Sequence, residues 1–170
     1  MNHKKIAILV ENEFQDAEFL YPFYRMIEAG AQVTVIGTGE KTYLGKHGYP
    51  ITADAAIGEI SPANFDAVII PGGHAPDKMR TFDKMVEFVA EASRMGKIIA
   101  GICHGPQLMI SARVLTGKRV TCYRAVRDDV INAGAIFEDS EVVVDGNIIT
   151  SRKPDDLPAF CREIIKAIGL

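Results

Sequence analysis

The sequence has no tryptophan, only three cysteines and four histidines in 170 residues, and no surplus of basic charge. Each shortage removes a class of protein. With 19 Lys and Arg against 22 Asp and Glu the formal net charge is −3, so the chain carries no basic footprint for nucleic acid. No apolar run approaches the roughly 20 residues needed to cross a bilayer. The first such run, Ile6 to Val10, meets Glu11 and Glu13 at once and is too short for the core of a secretion signal. Cys103, Cys122 and Cys161 are odd in number and far apart, which argues against a disulfide framework and for a reducing cytoplasm. What remains is the composition of an ordinary soluble protein, 48% hydrophobic and 24% charged. The length suits one core, so a single domain is expected over residues 1–170.

Four short runs read as buried parallel strands: KIAILV (5–10), QVTVIG (32–37), DAVIIPGG (66–73) and KIIAGI (97–102). They are continuously apolar and rich in Ile and Val, as strands covered on both faces are. Helical patterns lie between them. Residues 16–30 end at Gly30, and Pro22 leaves open whether the regular helix starts at Asp16 or only near Tyr21, with Glu18 then on a loop. Residues 82–96 place Met85, Phe88, Val89 and Ala92 on one stripe and stop at Gly96. A further helix follows Cys103-His104, with Pro106 in its first turn, and the last covers 154–170. This alternation predicts an open, mostly parallel sheet with helices on both faces. Residues 38–56 look like a small hairpin or insertion, and 136–151 like a hairpin around Asp145-Gly146.

In such a sheet, ligands bind beyond the carboxyl ends of the strands. Asn12, Glu13, Asp16 and Glu18 follow the first strand, Pro71-Gly72-Gly73-His74 and Asp77 the third, Cys103-His104 the fourth, and Ser151-Arg152 a later run, NIIT. Gly101-Ile102-Cys103-His104-Gly105 has the form of a nucleophile elbow with Cys in place of Ser. Its nucleophile sits near a helix N-terminus, which favours a thiolate. His104 is either a partner of Cys103 or a cap on the helix start. Neighbouring residues of a helix do not share a face, so it need not be the base that takes the thiol proton. Pro71-Gly72-Gly73 is a plain turn or, beside an elbow, an oxyanion hole of backbone N–H groups. Periodicity alone makes Glu18 an exposed helix residue. Buried among Phe14, Phe19 and Leu20, it would instead be a protonated donor to the thiol.

Together these stretches resemble the DJ-1/PfpI family, and its PfpI-type branch most. AGICHGPQLMISA is similar to the family's elbow, ENEFQDAEFLYPFYRMIEAG to its N-terminal strand, loop and helix, and DAVIIPGGHAPDKMR to its PGG turn. GKHGYP, DDVINAGA and EVVVDGNIITSRKPDDLPAF extend the likeness almost end to end. The elbow alone is shared with class I glutamine amidotransferases. The resemblance implies a flavodoxin-like three-layer sandwich, a nucleophile at Cys103, a hydrogen bond from Glu18 to its thiol, and an oxyanion site at Gly73 and the backbone N–H of His104. It implies His74 and Tyr123 in the substrate pocket. It also implies a homo-oligomer, dimer or hexamer, in which Asp77 of a neighbouring subunit orients His104; Asp stands where the best-known members have Glu.

The function expected first is a cysteine hydrolase of the intracellular protease type. The alternatives are a glyoxalase or deglycase acting on methylglyoxal or its adducts, and a redox sensor or chaperone. An amidotransferase is disfavoured because no histidine lies downstream of His104. No cofactor, metal, membrane or nucleic acid is expected as a partner, only a peptide or small carbonyl substrate. The spacing of Cys103, His104 and His74 matches no structural zinc site.

Overall fold

Runs of Ile, Val and Ala with no polar face to offer water become the interior strands of the sheet. In the computed structural model, which describes residues 3–170, β1 (Lys5–Val10) leads through α1 (Asp16–Glu28) to β2 (Gln32–Gly37). β2 is parallel to β1, with Lys5 opposite Gln32 and Val10 opposite Gly37. A separate hairpin of β3 (Thr42–Leu44) and β4 (Pro50–Thr52) follows, and β5 (Ala55–Ala56) adds an edge beside β2. The chain then crosses to the other side of β1 and makes β6 (Ala67–Ile70), α2 (Ala75–Met79), α3 (Asp83–Arg94), β7 (Ile98–Ile102) and α4 (Pro106–Ser111). β8 (Arg119–Val120), α5 (Arg127–Asn132) and β9 (Ile136–Phe137) precede a hairpin of β10 (Val143–Asp145) and β11 (Ile148–Ser151), and α6 (Leu157–Ile168) closes the chain.

The main sheet has seven strands in the order β10-β11-β7-β6-β1-β2-β5, parallel except for β10. α1 and α6 touch each other on one face; α2, α3 and α5 each touch α4 on the other. The three-layer sandwich of the sequence reading is therefore present. The single domain expected over 1–170 is described from residue 3, Met1 and Asn2 lying outside the described residues. Among the described residues no helix is long and apolar enough to cross a membrane.

Two boundaries differ from the sequence reading, and a third that it left open is decided. The third strand stops at Ile70, and the PGG turn lies beyond it. α1 starts at Asp16 and runs through Pro22, because Pro22 removes only the helical bond to the Glu18 carbonyl, and Gln15 caps the start by accepting from the Ala17 N–H at 3.3 Å. Residues 136–137 pair with β8 rather than joining the hairpin, which spans 143–151 around a two-residue turn with Gly146 at φ 59°.

The elbow itself is packed from below. A Cβ added at Gly105 would stand 2.5 Å from the Ile70 carbonyl oxygen and 2.9 Å from the backbone of Ile102, none of which can move without shifting β6 or β7. At Gly101 the nearest obstacle is the Met109 sulfur, 2.5 Å away at the end of a flexible side chain. Gly105→Ala is thus expected to cost about 3 kcal/mol and Gly101→Ala about 1 kcal/mol, measured by urea unfolding. Equal costs would show that the strand ends yield as readily as a methionine.

Candidate active site

Cys103 directly follows β7 in the left-handed conformation, φ 62°, which a non-glycine residue adopts only when its surroundings hold it there. Three backbone bonds do so. The Cys103 N–H donates to Ser151 O at 3.0 Å, the Tyr123 N–H donates to Cys103 O at 3.0 Å, and the Gly105 N–H donates to Ile102 O at 2.8 Å. The elbow is therefore fixed by β11 and by the segment before α5, as well as by its own turn. This conformation also settles the placing of His104. Cys103 is not helical, so the rule that neighbours diverge does not apply, and its sulfur lies 3.3 Å from His104 Nδ1. The sequence argument had left this contact open.

The loops after β1 and β6 meet the elbow at the same rim. Phe14 bridges Gly73, the Gln15 N–H donates to Gly72 O at 3.1 Å, and the His74 N–H donates to Glu13 O at 2.9 Å. Glu18, in the first turn of α1, is completely buried. Its Oε1 accepts the Gly72 N–H at 3.1 Å, and its carboxyl lies near enough to the Cys103 thiol for each to shift the other's ionisation. Among the described residues its Oε2 has no hydrogen-bond partner, which leaves that oxygen free to carry a proton. Burial pushes the Glu18 carboxyl up to about 8, outweighing the thiol, the Gly72 N–H and the Lys46 charge, which pull it down.

The thiol is also raised, to about 12, first by burial and then by repulsion from an ionised Glu18, while the N–H groups of His104 and Gly73 pull it down. At neutral pH Glu18 is protonated, so the repulsion is absent and a donor takes its place. Burial remains the force against ionisation of the sulfur, and α4, which is short and starts three residues later, offsets little of it. Burial also holds the His104 imidazole below its ordinary value, assisted by the charges of His74 and Lys46. Burial thus disfavours the charged forms of both the imidazole and the thiol. Cys122 and Cys161 are likewise pushed up to about 12 by burial; Cys103 is 8% exposed against 1% and 0%.

A cavity of about 230 Å³ opens over Cys103. It is lined by the expected Glu18, Gly73, His74, Cys103, His104 and Tyr123, the last stacked on the His104 ring with centroids 5.0 Å apart. Asp77 is not among its walls: it lies on the exposed side of α2 and, among the described residues, makes no hydrogen bond to His104. Gln15, Lys46 and Pro154 also line the cavity and were not singled out by sequence reasoning. Lys46 had one signal. Asp16 accepts the N–H groups of His47 at 2.8 Å and Tyr49 at 3.2 Å, so an acid at a helix start fastens the GKHGYP turn over the rim. Among the described residues no group of three or more His, Cys, Asp and Glu side chains is placed to hold a metal ion.

This geometry agrees with the sequence comparisons. A family model for DJ-1/PfpI matches residues 4–167. The chain belongs to the DJ-1/PfpI family. It is 46% identical over 164 residues to a Pyrococcus furiosus protein named Deglycase PfpI, covering 96% of this chain and 99% of that one. It is 47% identical over 169 residues to the Escherichia coli Protein/nucleic acid deglycase 2, covering 98% of each. Among solved structures, a two-domain Anabaena variabilis protein with DJ-1/ThiJ/PfpI-like and ferritin-like domains superposes with a TM-score of 0.95 at 46% identity. The match covers 98% of this chain and 48% of that one.

Proposed function

We propose that the protein is a cofactor-independent cysteine enzyme of the deglycase type, whose thiol adds to the carbonyl of methylglyoxal or of its adducts with amines. The observation that carries this reading is a buried thiol with an imidazole nitrogen at 3.3 Å, in a cavity of only about 230 Å³. A small carbonyl compound fits there more readily than an extended peptide, which favours this reading over the protease that leads the sequence analysis. The names of the relatives support it.

In the first step the Cys103 sulfur forms a bond to the carbonyl carbon while His104 Nδ1 takes the thiol proton. The carbonyl π pair moves to oxygen, and the N–H groups of Gly73 and His104, which face the sulfur at rest, stand beside the charge that develops. Glu18, holding its own proton, donates to the sulfur and disperses its negative charge. Methylglyoxal and one water together have the atoms and oxidation level of a three-carbon 2-hydroxy acid, so the conversion needs no external oxidant.

The test is a comparison of substrates. Methylglyoxal, a methylglyoxal-modified amino acid and a panel of fluorogenic peptides are assayed side by side, with Cys103→Ala as the blank. The carbonyl compounds are expected to exceed the best peptide at least about tenfold in kcat/KM, a difference of ~1.4 kcal/mol in transition-state binding. A peptide preference would return the protease reading, and no Cys103-dependent turnover would end the enzymatic one.

A further inference from the structure

Beside the nucleophile cavity lies a second one, of about 520 Å³. Tyr123 is their common wall: its ring stacks on His104, its N–H donates to Cys103 O, and its side chain also borders the larger cavity. Arg124 follows it at once, a Cα step of about 3.8 Å. One residue, Tyr123, therefore stands between the larger space and the cavity of the nucleophile.

Its charge is the reverse of the chain's. The whole molecule is −3, yet three arginines and a lysine line this cavity against a single acid, Asp139. One arginine is already matched. Arg152 donates to both Asp156 oxygens, at 2.9 and 3.1 Å, and to Asp139 at 2.9 Å. The other three cations, Arg124, Arg127 and Lys153, have no carboxylate within 4.0 Å among the described residues. Asp128, Asp129 and Asp155 lie on the same segments but do not line the cavity. Arg127 is held over the Phe137 ring, 5.4 Å from its centroid, which leaves the guanidinium edge for a ligand.

We propose that this cavity is the anion-recognising half of a divided substrate site, and that the preferred substrates are small carbonyl compounds carrying a phosphomonoester. The carbonyl sits at Cys103 and the phosphate among Arg124, Arg127 and Lys153. Three unmatched cations exceed the charge of one carboxylate and suit a phosphate dianion, whose oxygens accept paired bonds from guanidinium groups. The volume holds more than a phosphate alone. The substrate half of this proposal rests on the carbonyl chemistry of the preceding section; the anion site does not.

Two measurements keep these halves apart. Inorganic phosphate is titrated calorimetrically at constant ionic strength, with chloride as the balancing anion, into wild type, Cys103→Ala and the double variant Arg124→Ala/Arg127→Ala. Both arginines are exposed, and circular dichroism checks that the double variant folds. Phosphate is expected to bind wild type and Cys103→Ala alike and at least about tenfold more weakly to the double variant, the scale of one or two lost charge-assisted bonds. Binding no stronger than chloride, or unchanged in the double variant, overturns the site. In the second measurement kcat/KM for 3-phosphooxy-2-oxopropanal, a 2-oxoaldehyde that hydrates to a 2-hydroxy acid as methylglyoxal does, is divided by that for 3-hydroxy-2-oxopropanal. A ratio above about 10 that collapses in the double variant supports the substrate half, and a ratio near 1 in wild type overturns it. If neither compound turns over while phosphate still binds through the arginines, the carbonyl chemistry has failed and the anion site stands.

Discussion

Raising the pH from 4.5 to 9 is expected to cost the wild-type protein on the order of 4 to 5 kcal/mol of unfolding free energy that Glu18→Gln keeps. Glu18 has a folded-state value of about 8 against 4.5 unperturbed. Below 4.5 the carboxyl is protonated in both folded and unfolded chains and makes no difference. Between 4.5 and about 8 the unfolded chain releases the proton and the folded one retains it, so the unfolded state gains with every unit of pH. Above about 8 both have released it and the loss is complete. A glutamine can still accept the Gly72 N–H and donate to the thiol, without a charge to titrate. Urea unfolding at four pH values, in wild type and Glu18→Gln, measures the difference directly. Parallel stability curves would mean that Glu18 ionises as an exposed carboxyl does.

Cys103→Ala is expected to lose at least about a thousandfold in kcat/KM, with normal folding, since it removes the atom that bonds to the carbonyl carbon. A second expectation follows from Asp77. It is exposed on α2 and out of contact with His104 in its own chain. We propose that it reaches the imidazole of a neighbouring copy in a homo-oligomer. Asp77→Ala should then assemble but turn over at least about tenfold more slowly. Mixing it with Cys103→Ala under subunit exchange should restore part of the activity, because some interfaces join an intact thiol to an intact acid. Rescue by Asp77→Glu would fit the same role. A fully active monomer, or no recovery despite proven exchange, would sink the interface.

The sheet was legible because its interior strands are unbroken apolar runs, and the rim because strand ends in an open parallel sheet converge on it. The nucleophile was legible from two glycines around Cys-His. Other features were not. Glu18 at helical spacing is indistinguishable from a solvent-facing glutamate; only the fold shows it buried under Gly72 and beside the thiol. The contact of Cys103 with its own neighbour His104 depends on a left-handed backbone that no side-chain pattern encodes. Lys46 was hidden in a segment rich in Gly, Thr and Lys that reads as surface decoration, and its place over the cavity depends on Asp16. The ionisation of the thiol was not legible either: desolvation of the buried sulfur opposes it, the N–H groups of His104 and Gly73 favour it, and the helix that starts three residues away is only six residues long.

The bonds that hold the elbow have a bearing on synthesis. Glu18, Gly73, Cys103 and His104 have all been synthesised once about two thirds of the chain is made, yet the carbonyl that fixes the Cys103 N–H belongs to Ser151 and the N–H that fixes its carbonyl to Tyr123. Pairing of β11 with β7 spans about fifty residues of sequence, the kind of long-range closure that comes late in folding. A chain that lacks β11 therefore lacks the bond that fixes the Cys103 N–H. The left-handed elbow, and with it the meeting of thiol and imidazole, belongs to the completed sheet.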